Sequence, residues 1–357
     1  MRLDTAQALT RLFYREQAVA LTCGAWIARV APLEHKAELS RTAWEAALAG
    51  GALRERVFEL RYPTRFLEEQ VEELPVETPD YLRALVTELR DDYRAYLEQA
   101  DELADGPSIR VVEPALRDAE RQVEALGGIE PTGENPARDP RYFAASIYWP
   151  DVLDPTYPYG EGVALQLRSA VSHLNEVWAV ETAGAILAQL SPELGWEFTS
   201  QAARWLYDES RHMLMGKERL ERWGFEPGQI PLGGYIYEAW QGEDPLYALG
   251  MLGYFETKNI GRKRERADAF HAMGDATSEV DMEFYWADET LHAEYGRRWL
   301  RALLQARGRD PESWPAVLEH CEELVQKRVA HSTPDDLERV RACADALVAA
   351  AERAAAS

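Results

Sequence analysis

The chain has 357 residues, 46% of them hydrophobic, and its 62 acidic side chains outnumber 39 basic ones to give a formal net charge of −23. This composition is that of a globular protein with room for one large domain or two ordinary ones, and so strong a negative charge disfavours a nucleic-acid partner. The sequence contains no long uncharged apolar run, so no transmembrane helix is predicted. The charged N-terminal stretch lacks the apolar core of a secretory signal.

Residues 1–126 are predicted to form a helical region that covers the rest of the chain. Apolar residues recur at helical spacing in four segments: 5–31, 33–61, about 80–104 and 111–126. Pro32 ends the first helix, and the pair Gly50-Gly51 predicts a break or a loosening in the second. No segment of the chain has the convincing alternation of a strand.

Two acidic residues of this region, Glu16 and Glu45, lie on helices with an apolar face. They are 29 residues apart, and no E-x-x-H motif accompanies them. Charged residues on helices usually face solvent, so we interpret this half of the chain as structural cover.

The segment 127–162 differs from its surroundings, because it is rich in Pro and Gly and dense in aromatic residues. We interpret it as a linker that wraps the helices and is held down by its aromatic side chains. A lid over an active-site mouth is the alternative, since long irregular segments serve as lids in some proteins.

A four-helix bundle is predicted for residues 163–308, with a long crossing connection at 225–245 between its second and third helices. The four helices cover about 163–190, 192–223, 246–273 and 275–307. Ser191-Pro192 is expected to end the first and begin the second, because Ser is a good N-cap and Pro a good first residue. Two closing helices, 312–330 and 334–355, make up the C-terminal region 309–357 and pack on the bundle.

One pattern occurs twice in this bundle, each time with a lone Glu 33 residues before the Glu of the motif. The two copies are Glu176 with the D-E-x-x-H of Asp208, Glu209 and His212, and Glu256 with that of Asp288, Glu289 and His292. A Glu and a His three residues apart lie on one face of a helix, so both can reach the same point. Two helices that give a Glu and two that give E-x-x-H provide the inward ligands of a dinuclear carboxylate site.

These side chains suit iron or manganese, because both metals prefer hard oxygen ligands together with imidazole. Four carboxylates and two imidazoles offset most of the charge of two divalent ions and leave coordination sites free for dioxygen and substrate. A metal-bound His usually donates its other N–H to a carboxylate. Asp208 and Asp288 are placed to accept it from the His of the opposing motif, and Arg211 is placed to neutralise the buried acidic cluster.

The same residues resemble the ferritin-like di-iron carboxylate superfamily. The first motif, D-E-x-R-H with Arg211, is similar to that of its O2-activating monooxygenases and desaturases. The second, within DETLHAEYGRRWLRALL, most resembles an uncharacterised group of bacterial ferritin-like domain proteins. The resemblance covers about residues 165–305. It implies an all-α fold, a ferritin-like four-helix bundle with one long crossover and additional helices at both ends, and a site for two iron ions or for one manganese and one iron.

Two residues beside the motifs leave alternatives open. Glu181 competes with Glu176 as the ligand from the first bundle helix, and the 33-residue spacing favours Glu176. His173 lies one turn before Glu176 and is an added ligand, a proton relay or, as is more common for a lone His, a hydrogen-bonded residue.

Two aromatic residues and one basic run are also ambiguous. Trp205 and Tyr285 each lie one turn before a motif Glu, and core packing is their default role, ahead of a pocket wall or an electron relay. The basic run 261–266 is interpreted as a solvated helix face.

We therefore predict an O2-dependent di-iron oxidoreductase that oxidises or hydroxylates a small organic substrate and draws on an electron donor. The alternatives are a metal-handling or peroxide-scavenging protein and a tRNA-modifying hydroxylase, which the net charge disfavours. A substrate enzyme should have an apolar pocket beside the metals, whereas a storage protein should have polar ion channels. Three well-separated cysteines, Cys23, Cys321 and Cys343, fit reduced thiols in a cytoplasmic protein, and a homodimer is compatible with this reading.

Overall fold

The computed structural model describes residues 4–67, 80–158 and 160–356. Within these residues the chain is predominantly helical, which confirms the all-α prediction. The helices are α1 (Thr5–Ile27), α2 (Leu33–Leu60), α3 (Tyr81–Gln99), α4 (Gly106–Ala125), α5 (Gly162–Leu174), α6 (Val177–Arg222), α7 (Tyr235–Ala239), α8 (Pro245–Asn259), α9 (Lys263–Ala272), α10 (Ala276–Ala306), α11 (Trp314–Val329) and α12 (Pro334–Ala356). None of the described helices is both long and apolar enough to cross a membrane.

The prediction that the chain contains no strand is wrong for two short segments. β1 (Phe143–Ala145) pairs in parallel with β2 (Pro231–Gly233), and Phe143 lies opposite Pro231. β1 belongs to the Pro-rich segment 127–162, and β2 belongs to the connection after α6. The pairing therefore fixes part of the predicted linker against the predicted crossover, which also contains the short helix α7.

Chain contacts divide the protein into two compact units. The first unit contains the residues up to Ala137 together with Gly184–Tyr207, and the second contains Arg138–Ala183 and Asp208–Ser357. Residues 184–207, placed in the bundle by the sequence, thus group with the N-terminal helices. The long helix α6 contributes residues to both units.

In the first unit, α1 packs against α2 and α3, and α4 packs against α2 and α3. The break predicted at Gly50-Gly51 is absent, because α2 runs through both residues. The absence of a side chain at Gly50 is explained by packing. A Cβ there would lie 2.6 Å from the indole of Trp196, so the missing side chain makes room for that ring.

The first predicted bundle helix, about 163–190, is interrupted in the structure and ends at a different place from the one predicted. It breaks at Asn175 and Glu176, between α5 and α6, and not at Ser191-Pro192. Ser191 stays helical and donates its hydroxyl hydrogen to the carbonyl oxygen of Leu187, at 2.6 Å. The kink in α6 falls at Gly195, whose φ of 77° is a conformation that a side chain would strain.

Asn175 ties its helix break to the crossover. Its side-chain amide donates to the carbonyl oxygens of Val171 and Pro231, at 2.8 and 2.9 Å. Its side-chain oxygen accepts the backbone N–H of Gly233, at 2.8 Å. The break in the helix is therefore held by hydrogen bonds to β2.

The third predicted bundle helix is also interrupted. A short 3-10 turn over Ile260–Arg262 separates α8 from α9. In the second unit, α8 and α9 both pack against α10, and α11 packs against α8. Gly253 of α8 faces α10, and a Cβ there would make an ordinary contact with the Cα of Gly296, at 3.6 Å.

Candidate metal centre

The six predicted ligands are all buried, and all lie in the second unit. Glu176 occupies the break before α6, Glu209 and His212 lie on α6, Glu256 lies on α8, and Glu289 and His292 lie on α10. Glutamates whose carboxylates are almost fully buried are uncommon unless they have a cationic partner or a metal. The burial of four such residues together identifies this place as the candidate site.

The side chains meet in two groups that share Glu209. One group joins Glu209, Glu256, Glu289 and His292, and the other joins Glu176, Glu209 and His212. Within each group, one ligand atom from every residue lies within 4.8 Å of the others. The structure thus brings all six predicted residues together, with Glu209 between the two groups.

The imidazoles point at the carboxylates through the same ring atom. Nδ1 of His212 lies 3.3 Å from Glu176 Oε2 and 3.5 Å from Glu209 Oε2. Nδ1 of His292 lies 3.1 Å from Glu209 Oε1 and 3.7 Å from Glu256 Oε1. The two ring centroids are 6.1 Å apart.

The other ring nitrogen of each histidine faces an aspartate of the opposing motif. Nε2 of His212 lies 3.3 Å from Asp288 Oδ2, and Nε2 of His292 lies 3.4 Å from Asp208 Oδ2. Arg211 donates to both aspartates, at 2.8 and 2.9 Å. An aspartate that accepts the Nε2 hydrogen leaves the Nδ1 lone pair directed at the carboxylates, which is the tautomer that a metal ligand needs.

The donor atoms fit a pair of hard divalent ions. Among the described residues, Nδ1 of His212 and Oε2 of Glu176 are buried and have no hydrogen-bond partner. Unsatisfied buried polar atoms are rare, and an ion is one of their recognised explanations. Carboxylate and imidazole donors, without a thiolate, match iron or manganese better than zinc in a structural site.

The ionisation of these groups reflects burial and close neighbours. Burial alone would lower the pKa of His212 and His292, but the neighbouring aspartates and glutamates raise both well above the usual value. Burial favours the neutral form of Glu209, yet the two imidazoles hold its pKa below the usual range. Burial and the charge of Glu209 raise the pKa of Glu256 to about 7.

Tyr285 has a contact that the sequence reading did not assign to it. Its hydroxyl donates to Glu176 Oε1 at 2.5 Å, and its ring lies 4.4 Å from that of His173 and 4.5 Å from that of His212. Its position one turn before Glu289 was the available signal. The side chain of Tyr285 thus holds a candidate ligand, Glu176, in addition to packing against the two histidine rings.

Lys263 is a residue of the candidate site that the sequence analysis did not single out. The interpretation of the run 261–266 as a solvated face is wrong for this side chain, which is 1% exposed. Its Nζ lies 3.7 Å from Glu289 Oε2 and 3.2 Å from the centroid of the Tyr285 ring. Burial lowers the pKa of Lys263 to about 7. The sequence of a run of charged residues on a helix does not indicate which of its side chains is buried.

The two residues with open alternatives lie outside both groups. Glu181 is fully buried and forms an ion pair with Arg138. His173 Nδ1 accepts a hydrogen bond from Arg219 at 2.7 Å, and burial lowers the pKa of His173. Trp205 is buried in the first unit, as expected for a core residue.

A cavity of about 220 Å³ opens beside the candidate ligands. Its lining includes ligand glutamates, Tyr285, aromatic residues and four cationic side chains: Glu176, Glu209, Glu256, Glu289, Tyr148, Trp178, Phe255, Arg168, Arg262, Lys263 and Arg266. Charged side chains make up most of the lining, so the cavity is not the apolar pocket expected of a substrate enzyme. Tyr148 and Asp151 in its wall come from the segment 127–162, so this segment helps to enclose the site.

A family model described as "Protein of unknown function (DUF455)" matches residues 157–345, which is more than half of the chain. The match includes every residue of the two groups described above. No curated protein and no solved structure matches the chain.

Proposed function

The chain belongs to the family described as protein of unknown function DUF455, and we propose that it is a ferritin-like dinuclear iron protein that uses O2 to oxidise a small organic substrate. The observation that carries the proposal is the pair of carboxylate–histidine groups that share Glu209. In this reading α5, the part of α6 after Tyr207, α8 and α10 are the four bundle helices. The connection between α6 and α8 is the long crossover typical of such bundles.

Two iron ions, or one manganese and one iron, would be held by the six residues of the two groups. When bound, such a pair supplies the activation of O2 that side chains cannot provide. The histidines are oriented by Asp288 and Asp208, and Tyr285 fixes Glu176 by its hydrogen bond. Burial of the ligands keeps bulk water away from the reacting oxygen.

Hydroxylation illustrates the balance that the proposed reaction requires. One C–H bond of the substrate breaks, and one C–O bond forms with one atom of O2. The other oxygen atom leaves as water, for which two electrons come from an external electron-transfer protein and two protons come from solvent. Repeated turnover requires these electrons to be replaced, so the proposal includes a reductant of this class.

The basic side chains of the cavity support an enzyme over an iron-handling protein, although the lining is not the apolar pocket expected of an enzyme. Ferrous ions reach a storage site through acidic or neutral passages, because positive charge repels them. Here the guanidinium groups of Arg168, Arg262 and Arg266 lie in the cavity lining. Trp178 and Phe255, with ring centroids 5.1 Å apart, add an apolar wall for an organic molecule.

Metal analysis tests the ligand assignment. Anaerobic loading of the whole chain with ferrous iron should give about two ions per chain after excess iron is removed. Glu209→Gln should retain fewer than one, because Glu209 belongs to both groups, and should lose rapid O2 consumption. Glu181→Gln is the matched control, since Glu181 is equally buried but lies outside both groups, and it should keep its iron.

The proposal is wrong if the wild-type chain binds no iron or if Glu209→Gln binds as much as wild type. Oxidation that deposits many iron ions per chain without an added reductant would instead support the iron-handling alternative.

A further inference from the structure

The cavity beside the candidate ligands carries a track of basic side chains in a strongly acidic protein. Arg262 is exposed, Arg266 is half-buried and Lys263 is buried, and all three belong to the turn before α9 or to its first two turns. Arg262 and Arg266 are four residues apart, a spacing that places side chains on the same face of a helix. The track therefore leads from solvent to the ligand Glu289, which Lys263 approaches.

The charge of the lining is positive once metal is considered. Two divalent ions offset the four ligand glutamates. Among the described residues of the lining, the remaining carboxylate is that of Asp151, which pairs with Arg168 at 3.1 Å. Arg262 and Arg266 then give the lining an excess of positive charge. A cavity of low dielectric strengthens the attraction of such groups for an anion.

We propose that the substrate is a small organic anion whose acid group, a carboxylate or a phosphate ester, binds Arg262 and Arg266. This inference rests on the proposed function. The fork of guanidinium donors matches both kinds of acid group and binds them in two-point fashion. The carbon part of the molecule lies against Trp178 and Phe255, beside the metal ligands. The cavity volume of about 220 Å³ is below the usual range for drug-sized ligands, so the substrate is smaller than these.

Anion binding to the metal-loaded chain tests the inference without a turnover assay. The whole chain is loaded with Mn²⁺, its metal content is measured, and inorganic phosphate, acetate, butyrate and benzoate are titrated by calorimetry. We expect saturable binding of at least one of these anions, with its Kd raised at least tenfold in Arg262→Gln and Arg266→Gln. Arg264→Gln is the matched control, because Arg264 is exposed on the same helix and does not line the cavity.

The titrations also distinguish the two acid groups. Tighter binding of phosphate indicates a phosphate ester, whereas tighter binding of butyrate or benzoate than of acetate indicates a carboxylic acid with an apolar body. Loaded protein that binds none of the anions, or binds them equally in all three variants, overturns the inference while the metal assignment stands. A chain that takes up no metal overturns the proposed function, and the inference with it.

Discussion

The neighbours of a buried carboxylate decide its ionisation in this protein, as Glu16 and Glu209 illustrate. Both are almost fully buried. Glu209 faces two imidazoles, which hold its pKa low. Glu16 in the first unit accepts a hydrogen bond from the neutral hydroxyl of Tyr93, and burial raises the pKa of Glu16 to about 8. The raised pKa of Glu16 favours its neutral form at pH 7.

Glu16→Gln should stabilise the protein at alkaline pH. Because the folded-state pKa of Glu16 is raised, its favourable contribution is complete below about pH 4.5 and is lost as the pH rises towards 8. The loss amounts to about 1.4 kcal/mol per pH unit in this window, and Gln does not titrate. The free energy of unfolding of the variant relative to wild type, measured by urea denaturation, should rise between pH 5 and pH 8.

Glu98→Gln on the exposed face of α3 provides the control and should show no such trend. A constant difference between Glu16→Gln and wild type across this range would mean that Glu16 is ionised in the folded protein.

At the scale of elements, close helix contacts position the site. α6 crosses α5 at Gly216, where an added Cβ would lie 2.3 Å from the backbone nitrogen of Leu174 and 2.5 Å from the carbonyl oxygen of Ala170. Backbone atoms cannot move aside as a flexible side chain can. This contact fixes α5, and with it Glu176 at the following break, against the helix that carries Glu209 and His212.

Gly216→Ala should lower the free energy of unfolding by about 1–3 kcal/mol, because overpacking against backbone forces the two helices apart. Iron content should fall as well, since Glu176 moves with α5. Thermal or urea denaturation and metal analysis provide the two measurements.

Gly253→Ala is the matched control within the second unit. A Cβ at Gly253 would meet its nearest neighbour at 3.6 Å, an ordinary contact, and Ala favours a helix over Gly by up to about 1 kcal/mol. Equal stability of the two variants would show that α5 and α6 are less closely packed than the structure indicates.

At the scale of the whole molecule, the candidate site couples metal binding to stability. Metal that binds only the folded chain adds about 4 kcal/mol at a thousand times the dissociation constant. Bound metal requires neutral imidazoles and ionised carboxylates, so it competes with protons. The raised pKa values of His212, His292 and Glu256 make this competition strong near neutral pH.

Chelation should lower the melting temperature, and the gap between metal-loaded and metal-free protein should widen from pH 6 to pH 8. In the metal-free chain, the stability from the two histidines is lost as pH rises above about 6.5, and that from Glu256 is lost up to about pH 7. Lys263, whose pKa is lowered to about 7, opposes this trend above pH 7, but there it is one group against the two histidines.

Reversible thermal scans of both forms at each pH measure the gap. Identical melting of the two forms at both pH values would remove the main support for a buried dinuclear site.

The sequence by itself determined the helical class and the six residues that meet at the candidate site. Both depend on local periodicity. Helices follow from apolar spacing, and a Glu and a His three residues apart share a helix face whatever the rest of the chain does. Because the motif occurs twice, each time with a Glu 33 residues upstream, the sequence also indicated that these distant segments contribute to one site. Whether the bundle is ferritin-like stays a proposal.

Only the tertiary structure decided the helix breaks, the inward turn of Lys263 and the contents of the cavity. α2 runs through Gly50-Gly51, where the missing side chain of Gly50 leaves room for Trp196, whereas α6 is kinked at Gly195, which has a positive φ. Tyr285 and Lys263 acquire their contacts from residues far away in sequence. Long-range packing of this kind leaves no periodic pattern in the chain, because it depends on which faces of separate helices come together.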